Sequence, residues 1–352
     1  MIDFRAQMGV VIASGMLVLV GGCADGYYGQ SIGGHLRLMG DRQDIATAVA
    51  EPATSPELRA RLSLVSDIVS YAHDELALPD NGSYRSFVDV DRAYVAWNVI
   101  AAPELSLTPI EWCFPVAGCV TYRGYFDEAE ALAYGDLMRA EGHDVLIAGT
   151  RAYSTLGWFD DPVPSTILYD PDYLLAGTIF HELAHQRVYI TDDTMFNESH
   201  ANAVELAGVA LWLADHGTPE QRTAFRQRQS RQDQFLRLVQ ETRSELETLY
   251  LSPLDPEEML ARKADIFASL RSGYTRLRAS WGGYPGYDSW FAQDLNNAKL
   301  ALVATYTLLT ESFLELLADV DGDWPAFHDA VEALAALPRG ERNLALTQLG
   351  DR

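Results

Sequence analysis

The chain predicts an α+β fold that is predominantly α-helical, with a small β-rich part ahead of two central helices and a helical bundle after them. Three observations predict it. Apolar residues recur at threes and fours over 41–78 and again from about 127 onward, the period of helices with one buried face. From Ser86 to Phe126 the texture changes to runs of Val, Tyr, Trp and Phe broken by Pro103, Pro109 and Pro115, as in short strands. No linker divides the chain, and no fixed-period repeat or low-complexity tract points to a solenoid. One domain over residues 23–352 is the simplest organisation: β-rich at about 86–165, central helices at about 171–216, C-terminal helices at about 219–340.

The 352 residues can bury a substantial core, and 48% hydrophobic with 22% charged residues excludes a disordered chain. The formal net charge is −24, and removing residues 1–22 leaves it there. Such a surface repels phosphate backbones and offers anionic lipid no polybasic patch, so nucleic acid is excluded as a partner.

Residues 1–22 read as an export signal. Arg5 is a thin basic region, Val10 to Val20 is an apolar run too short for a comfortable membrane span, and small residues follow. Leu19-Val20-Gly21-Gly22-Cys23 resembles a bacterial lipobox, which would make Cys23 the lipidated first residue of the mature chain. Its acyl chains would hold the protein at a membrane of the cell envelope, facing the periplasm. An ordinary signal peptide cut nearby, or a buried apolar helix, is the competing reading. With Cys23 taken by lipid, Cys113 and Cys119 remain as a pair in an oxidising compartment. Pro115 and Gly118 let their loop fold back, so a disulfide is expected.

Tyr27 to Met39 is a short amphipathic lead-in. Pro52 and Pro56 split the helical stretch 41–78 into two pieces, and Asn81-Gly82 marks a turn. Asp127 with Glu130 three residues on forms a capping box for a helix through Glu141, which Gly142 closes. Asp144 to Thr150 is a short apolar strand that Arg151 to Gly157 is expected to continue, before a turn over Trp158–Pro164. Asp170-Pro171 opens the first central helix, and Gly217-Thr218-Pro219 ends the second, 196–216. Helices then run over Pro219–Leu251, Asp255–Trp281, Phe291–Leu317 and Trp324–Leu337, with a loop at Gly282–Tyr287.

The first central helix carries His181-Glu182-Leu183-Ala184-His185-Gln186, an H-E-x-x-H pattern. Four-residue spacing puts both imidazoles on one helix face, where they can share one Zn²⁺, and Glu182 stands beside them to take a proton from an attacking water. At about 100° per residue, His181, His185, Thr178 and Glu182 share one arc, while Leu175, Ile179, Phe180, Leu183 and Ala184 occupy the other side. A surface helix with solvated polar groups would leave the His/Glu spacing a coincidence. Zinc in a hydrolase takes three protein ligands and keeps a fourth position for water. Asp192, Asp193, Glu198, His200 and Glu205 follow. Glu198, Asn202 and Glu205 share a face of the second helix, whereas His200 points away from Glu198 and reads as a surface or outer histidine. Glu198 is therefore the expected third ligand. Glu205 is placed to accept from a ligand imidazole N–H, and Asp192-Asp193 read as a solvated turn or helix cap.

Together with Asn197-Glu198-Ser199-His200-Ala201 and Glu205, the motif resembles the H-E-L-A-H-Q … N-E-x-x-A-x-x-x-E signature of gluzincin aminopeptidases of the aminopeptidase N type. The 12 residues between His185 and Glu198 are fewer than in that family, and its amine-recognition motif is absent. As a whole, the chain resembles a family of predicted aminopeptidases in bacterial lipoproteins. The shared phrases are Cys113–Cys119, Tyr122-Arg-Gly-Tyr-Phe126, Ala152 through Pro162, the histidine motif and Leu295-Asn-Asn-Ala298, spanning nearly the whole mature chain. The resemblance implies a zincin-like metallopeptidase with one Zn²⁺ on His181, His185 and Glu198, Glu182 as general base, and a peptide substrate. The "amino" part comes from the family's name and from no residue here.

The developing oxyanion needs a donor besides the metal, and Tyr153, Tyr274, Tyr284, Tyr287 and Tyr306 are candidates, with packing the default reading of each. Tyr153 to Gly157 could be an edge strand that holds extended substrate, or an ordinary interior strand. Asp160 and Asp161 could neutralise a free α-amine, or serve as turn residues before Pro162. The competing functions are an endopeptidase acting on envelope proteins and a non-catalytic helical envelope scaffold.

Overall fold

The computed structural model describes residues 25–114 and 118–350, apart from the side chains of Asp25, Tyr306 and Thr307; Cys23 and the leader lie outside them. Helix α1 (Asp25–Gly40) leads through strand β1 (Gln43–Asp44) to α2 (Ile45–Ala50) and α3 (Pro56–Asp74). Pro52 falls between α2 and α3. Pro56 takes the first turn of α3, where its missing N–H is not needed, and the Ser55 side chain caps that turn by accepting from Leu58 N–H.

Strands β2 (Ser86–Val88), β3 (Ala96–Pro103), β4 (Trp112–Phe114), β5 (Gly118–Val120) and β6 (Arg123–Tyr125) fill the strand-rich stretch. Asp127 then caps α4 (Glu128–Ala140) by accepting from Glu130 N–H, and β7 (His143–Thr150) follows. Strand β3 is the centre of an antiparallel sheet in the order β6-β3-β7, with Trp97 opposite Tyr125 and Ala96 to Pro103 opposite Thr150 to His143. Its residues alternate faces, as a strand must. Trp97, Val99 and Ala101 pack with Ala131 and Met138 of α4, while Ile100 and Ala102 pack with Ala298 and Leu302 from the C-terminal half. The β4–β5 pair is a hairpin joined across Cys113 and Cys119 by a disulfide. Short β8 (Val163–Pro164) runs parallel to β2, whose other neighbour is β1.

After α5 (Ser165–Leu168) come the two central helices, α6 (Asp172–Arg187) and α7 (Thr194–His216). The remainder is α8 (Pro219–Tyr250), α9 (Pro256–Ser280), α10 (Asp288–Ala292), α11 (Asn297–Thr307), α12 (Thr310–Asp319), α13 (Trp324–Ala335) and α14 (Arg339–Gly350). The main core joins α3, α6, α7 and α12 to α14 through residues such as Leu62, Phe180, Phe196, Phe313, Phe327 and Leu346. A second core joins α8, α9, α10 and α11 around Phe235, Phe267, Phe291 and Leu300.

Two segments depart from the sequence reading. The helix expected over Phe291–Leu317 is three helices. The Asn296 side chain caps α11 by accepting from Lys299 N–H, and Asn297 turns its side chain to the carbonyls of Pro103 and Glu104, so the chain restarts there. The Leu309 N–H leaves the helical pattern for Ser199 Oγ at 3.3 Å, which separates α11 from α12. Likewise, Arg151 to Gly157 does not continue β7. Arg151 is drawn to Asp170 (2.8 Å), the Thr155 N–H to the Asp161 carboxylate (2.7 Å), and Leu156 and Gly157 turn the chain at φ 57° and 80°.

The sheet is tied to the C-terminal helices by a buried charge. One oxygen of Asp144 accepts from Lys263 Nζ at 2.6 Å and from Asn297 N–H at 2.8 Å, and the same Nζ donates to the Glu104 carbonyl at 2.8 Å. Removing one member of a buried pair leaves the other uncompensated, at a cost of about 3 kcal/mol or more. Lys263→Ala is therefore expected to lower unfolding stability by about 3 kcal/mol in denaturant titration; a loss under about 1 kcal/mol would contradict this role.

Candidate metal centre

Helix α6 is buried along Leu175, Ile179, Phe180, Leu183 and Ala184, each at most 1% exposed, which turns His181, Glu182 and His185 toward a cleft. Helix α7 crosses it closely. At Gly177, one turn before His181, a Cβ would lie 3.2 Å from Glu205 Cγ; at Gly208 it would lie 2.8 Å from Leu76 and 3.0 Å from Phe180. The space that Gly177 leaves open is what lets Glu205 reach beneath His181.

The crossing brings the three expected ligands together. His181 Nε2 and His185 Nε2 are 3.2 Å apart, and Glu198 Oε2 is 3.4 Å from the first and 3.6 Å from the second. A tetrahedral ion with bonds of about 2.0–2.1 Å sets its ligand atoms about 3.3–3.4 Å apart. The donor set and spacing thus fit one zinc-sized cation, and this is the group of His, Cys, Asp or Glu among the described residues that converges in this way. Glu205 Oε2 stands 3.2 Å from His181 Nδ1, on the far side of the ring, where a carboxylate fixes tautomer and orientation.

The electrostatics follow from the crowding. Burial pushes the Glu198 carboxyl up, but the imidazoles of His185 and His181 outweigh it and hold the group down at about 2. Burial also acts on Glu182 and prevails there, raising it despite the two histidines. For His181, burial favours the neutral ring, yet the bonds to Glu198 and Glu205 raise it well above the usual imidazole value. A cation taking this place would release that proton, so acid should weaken its binding.

The short connection between α6 and α7 is held by side chains. Asn197 accepts from Ile190 N–H and donates to the Ile190 carbonyl, both at 2.8 Å. Asp193 caps α7 by accepting from Phe196 N–H, and its other oxygen takes the Arg342 guanidinium of α14 at 2.5 Å. Asp192, at φ 67°, accepts from Cys119 N–H at 2.5 Å, so the disulfide hairpin sits on this connection. Gly118 fits there because it has φ 73° and no Cβ, which would meet Thr191 at 2.3 Å.

His200 does not lie at the surface or behind a ligand. It is fully buried, ringed by Phe313, Phe327 and His328, because α7 is covered by α12 and α13 on the side opposite Glu198. Burial drives its pKa well below the usual value.

The cleft encloses about 410 Å³. Among the described residues that line it there is no Lys or Arg, and its only carboxylates are Glu182 and Glu198. Of the expected oxyanion donors, Tyr153 lines it, with its hydroxyl 3.0 Å from His35 Nδ1. Tyr274, Tyr284 and Tyr287 lie instead in the C-terminal helical part, engaged by Asp288, Arg231 and Phe235; the Tyr306 side chain is outside the description. Tyr122 and Tyr189, which the sequence reading passed over, line the cleft with the cluster, and burial followed by the Glu198 charge raises both hydroxyls. Tyr189 lies two residues past the end of α6, beyond an extended Val188, so helical spacing from His181 and His185 does not reach it. Asp160 and Asp161 are not in the cleft wall. Asp161 is fully buried, accepts from Thr155 N–H and Oγ1, and is raised to about 6 by burial. Asp160 presses over Gly82, at φ 91°. Gln186, the last residue of the motif, ties α6 to this turn by accepting from Asn81 and donating to Ser83.

Loss of an acceptor behind a ligand histidine lowers metal affinity by about 10–100-fold. Glu205→Ala is expected to weaken zinc binding by that factor in competition with a chromophoric chelator; parental affinity in this variant would contradict the role given to Glu205.

The family described as "Putative aminopeptidase" matches residues 26–346, almost the whole described chain. No curated protein and no solved structure matches it. A match of that extent covers the sheet, both central helices and the C-terminal bundle together, and the chain belongs to this aminopeptidase family.

Proposed function

We propose that the chain is a zinc-dependent peptidase, an aminopeptidase of the bacterial envelope held to a membrane through a lipid on Cys23. The observation that carries the zinc reading is the convergence of His181, His185 and Glu198 to 3.2–3.6 Å on the floor of a cleft that also exposes Glu182. Zinc held there would supply a Lewis acid that polarises a peptide carbonyl and acidifies water.

The chain's own residues would do the rest. Glu182 takes a proton from the attacking water and later delivers it to the leaving amine, and its raised pKa suits both steps. Tyr122 and Tyr189, kept protonated by burial, are the hydroxyl donors at hand for charge that develops on the carbonyl oxygen. Glu205 holds the His181 ring. The disulfide and the exported, oxidising setting expected from the leader agree with one another.

One observation favours endopeptidase action instead. Among the described residues no carboxylate beyond Glu182 and Glu198 lines the cleft, so none of them stands there to neutralise a free α-amine. The two readings separate by comparing kcat/KM for free and N-acetylated peptides, with Glu182→Gln as the control. An aminopeptidase cleaves the free form preferentially; equal rates on both would replace it with the endopeptidase. Either way Glu182→Gln should retain zinc and lose about 10²–10⁴ in kcat, and a near-parental rate would contradict the assignment of the base.

A further inference from the structure

Helix α1 has two faces of opposite character. Its inner face is fixed on the protein: Tyr27 and Ser31 line the cleft, Leu38 is buried, and Gly34 lies so close to Phe126 that a Cβ would come within 2.2 Å of the ring. On the outer face Tyr28, Ile32 and Leu36 are 42%, 59% and 63% exposed. Their four-residue spacing stacks them into one stripe. The stripe extends onto the 155–160 turn, where the ring of Phe159 lies 4.7 Å from His35, beside Leu36, and both Phe159 and Trp158 are exposed, Trp158 at 71%. In a chain of net charge −24, the sequence of α1 carries one acidic residue, Asp25, and one basic residue, Arg37. A contiguous apolar patch of this kind marks a surface that meets something other than water.

We propose that this face rests in the interfacial layer of a lipid bilayer, and that the cleft behind α1 therefore serves peptides presented at a membrane surface. The chain ahead of α1 identifies the occupant. Cys23 stands five residues before Tyr28, a reach of at most about 18 Å when fully extended. A lipid on Cys23 would hold the stripe at the bilayer. Tyr and Trp side chains, apolar in the ring and polar at the tip, suit the headgroup level. Arg37 follows Leu36 and Arg42 donates to the Asp160 carbonyl at 2.9 Å, both at the edge of this face, but the stripe of Tyr28, Ile32 and Leu36 itself carries no charge; the contact comes chiefly from apolar burial, so salt should not release it. The inference rests on the envelope peptidase reading and deepens it by naming the substrate class.

The test uses the full chain reconstituted in phosphatidylethanolamine–phosphatidylglycerol vesicles, with and without bromine on the acyl chains. Bromolipid should quench a fluorescence component that Trp158→Phe removes, at low and high salt alike. The pair Ile32→Glu and Leu36→Glu should reduce that quenching several-fold, with zinc content and hydrolysis of a soluble peptide unchanged. Quenching that persists in Trp158→Phe, or a vesicle-bound protein whose Trp158 is not quenched, overturns the docking face. Trp158 shielded in lipid-free solution by self-association overturns it too and assigns the face to a second copy. The soluble-peptide rate and zinc content test the peptidase reading separately, since both can fail while quenching remains.

Discussion

Two helices that cross closely, with glycines at the crossing, create the candidate centre. Histidines four residues apart on α6 make half a site in any helix of this composition. A third ligand must come from another element and hold its place against the entropy of a long side chain. Here Gly177 and Gly208 let α6 and α7 approach, and Glu198 is 8% exposed where it meets the two rings. Glu205 uses the same close approach, passing over Gly177 to His181. Both partners of the histidines thus come from one helix, so its register relative to α6 sets the cluster.

That register is secured from outside the centre. The Asp193 cap, bound in turn by Arg342, fixes the start of α7, and Asn197 folds the preceding turn onto it. The disulfide hairpin presses on the same turn through Cys119 and Asp192. A chain that relied on loop length would leave this connection loose; one with 12 residues and several side-chain clamps does not. The C-terminal helix and the hairpin, distant in sequence, therefore meet at the segment that delivers Glu198.

Much of this was legible in the residues, and the limits are physical. Helix starts that depend on local chemistry could be read directly, as at Pro56 and Asp127, because caps and prolines act within a turn. The choice of Glu198 over His200 followed from helical periodicity alone, and the structure sets Glu198 beside the histidines. What periodicity could not show was what surrounds each face. His200 looked solvated because it points away from the site, yet α12 and α13 cover that side. The break at Leu309 depends on Ser199, more than a hundred residues earlier, and the irregular path of 151–157 depends on Asp161 and Asp170. Tyr122 reaches the cleft only through the pairing of β6 with β3, which composition does not specify.

All of the chemistry proposed for the chain depends on one ion held by three side chains from two helices. The most direct test is the zinc content of purified protein by elemental analysis, for the parent and for Glu198→Ala. Near one zinc per chain in the parent, largely lost in Glu198→Ala while the fold is retained by circular dichroism, is the predicted result. A parent that binds no zinc when supplied with it, or a Glu198→Ala variant with undiminished zinc, would contradict it.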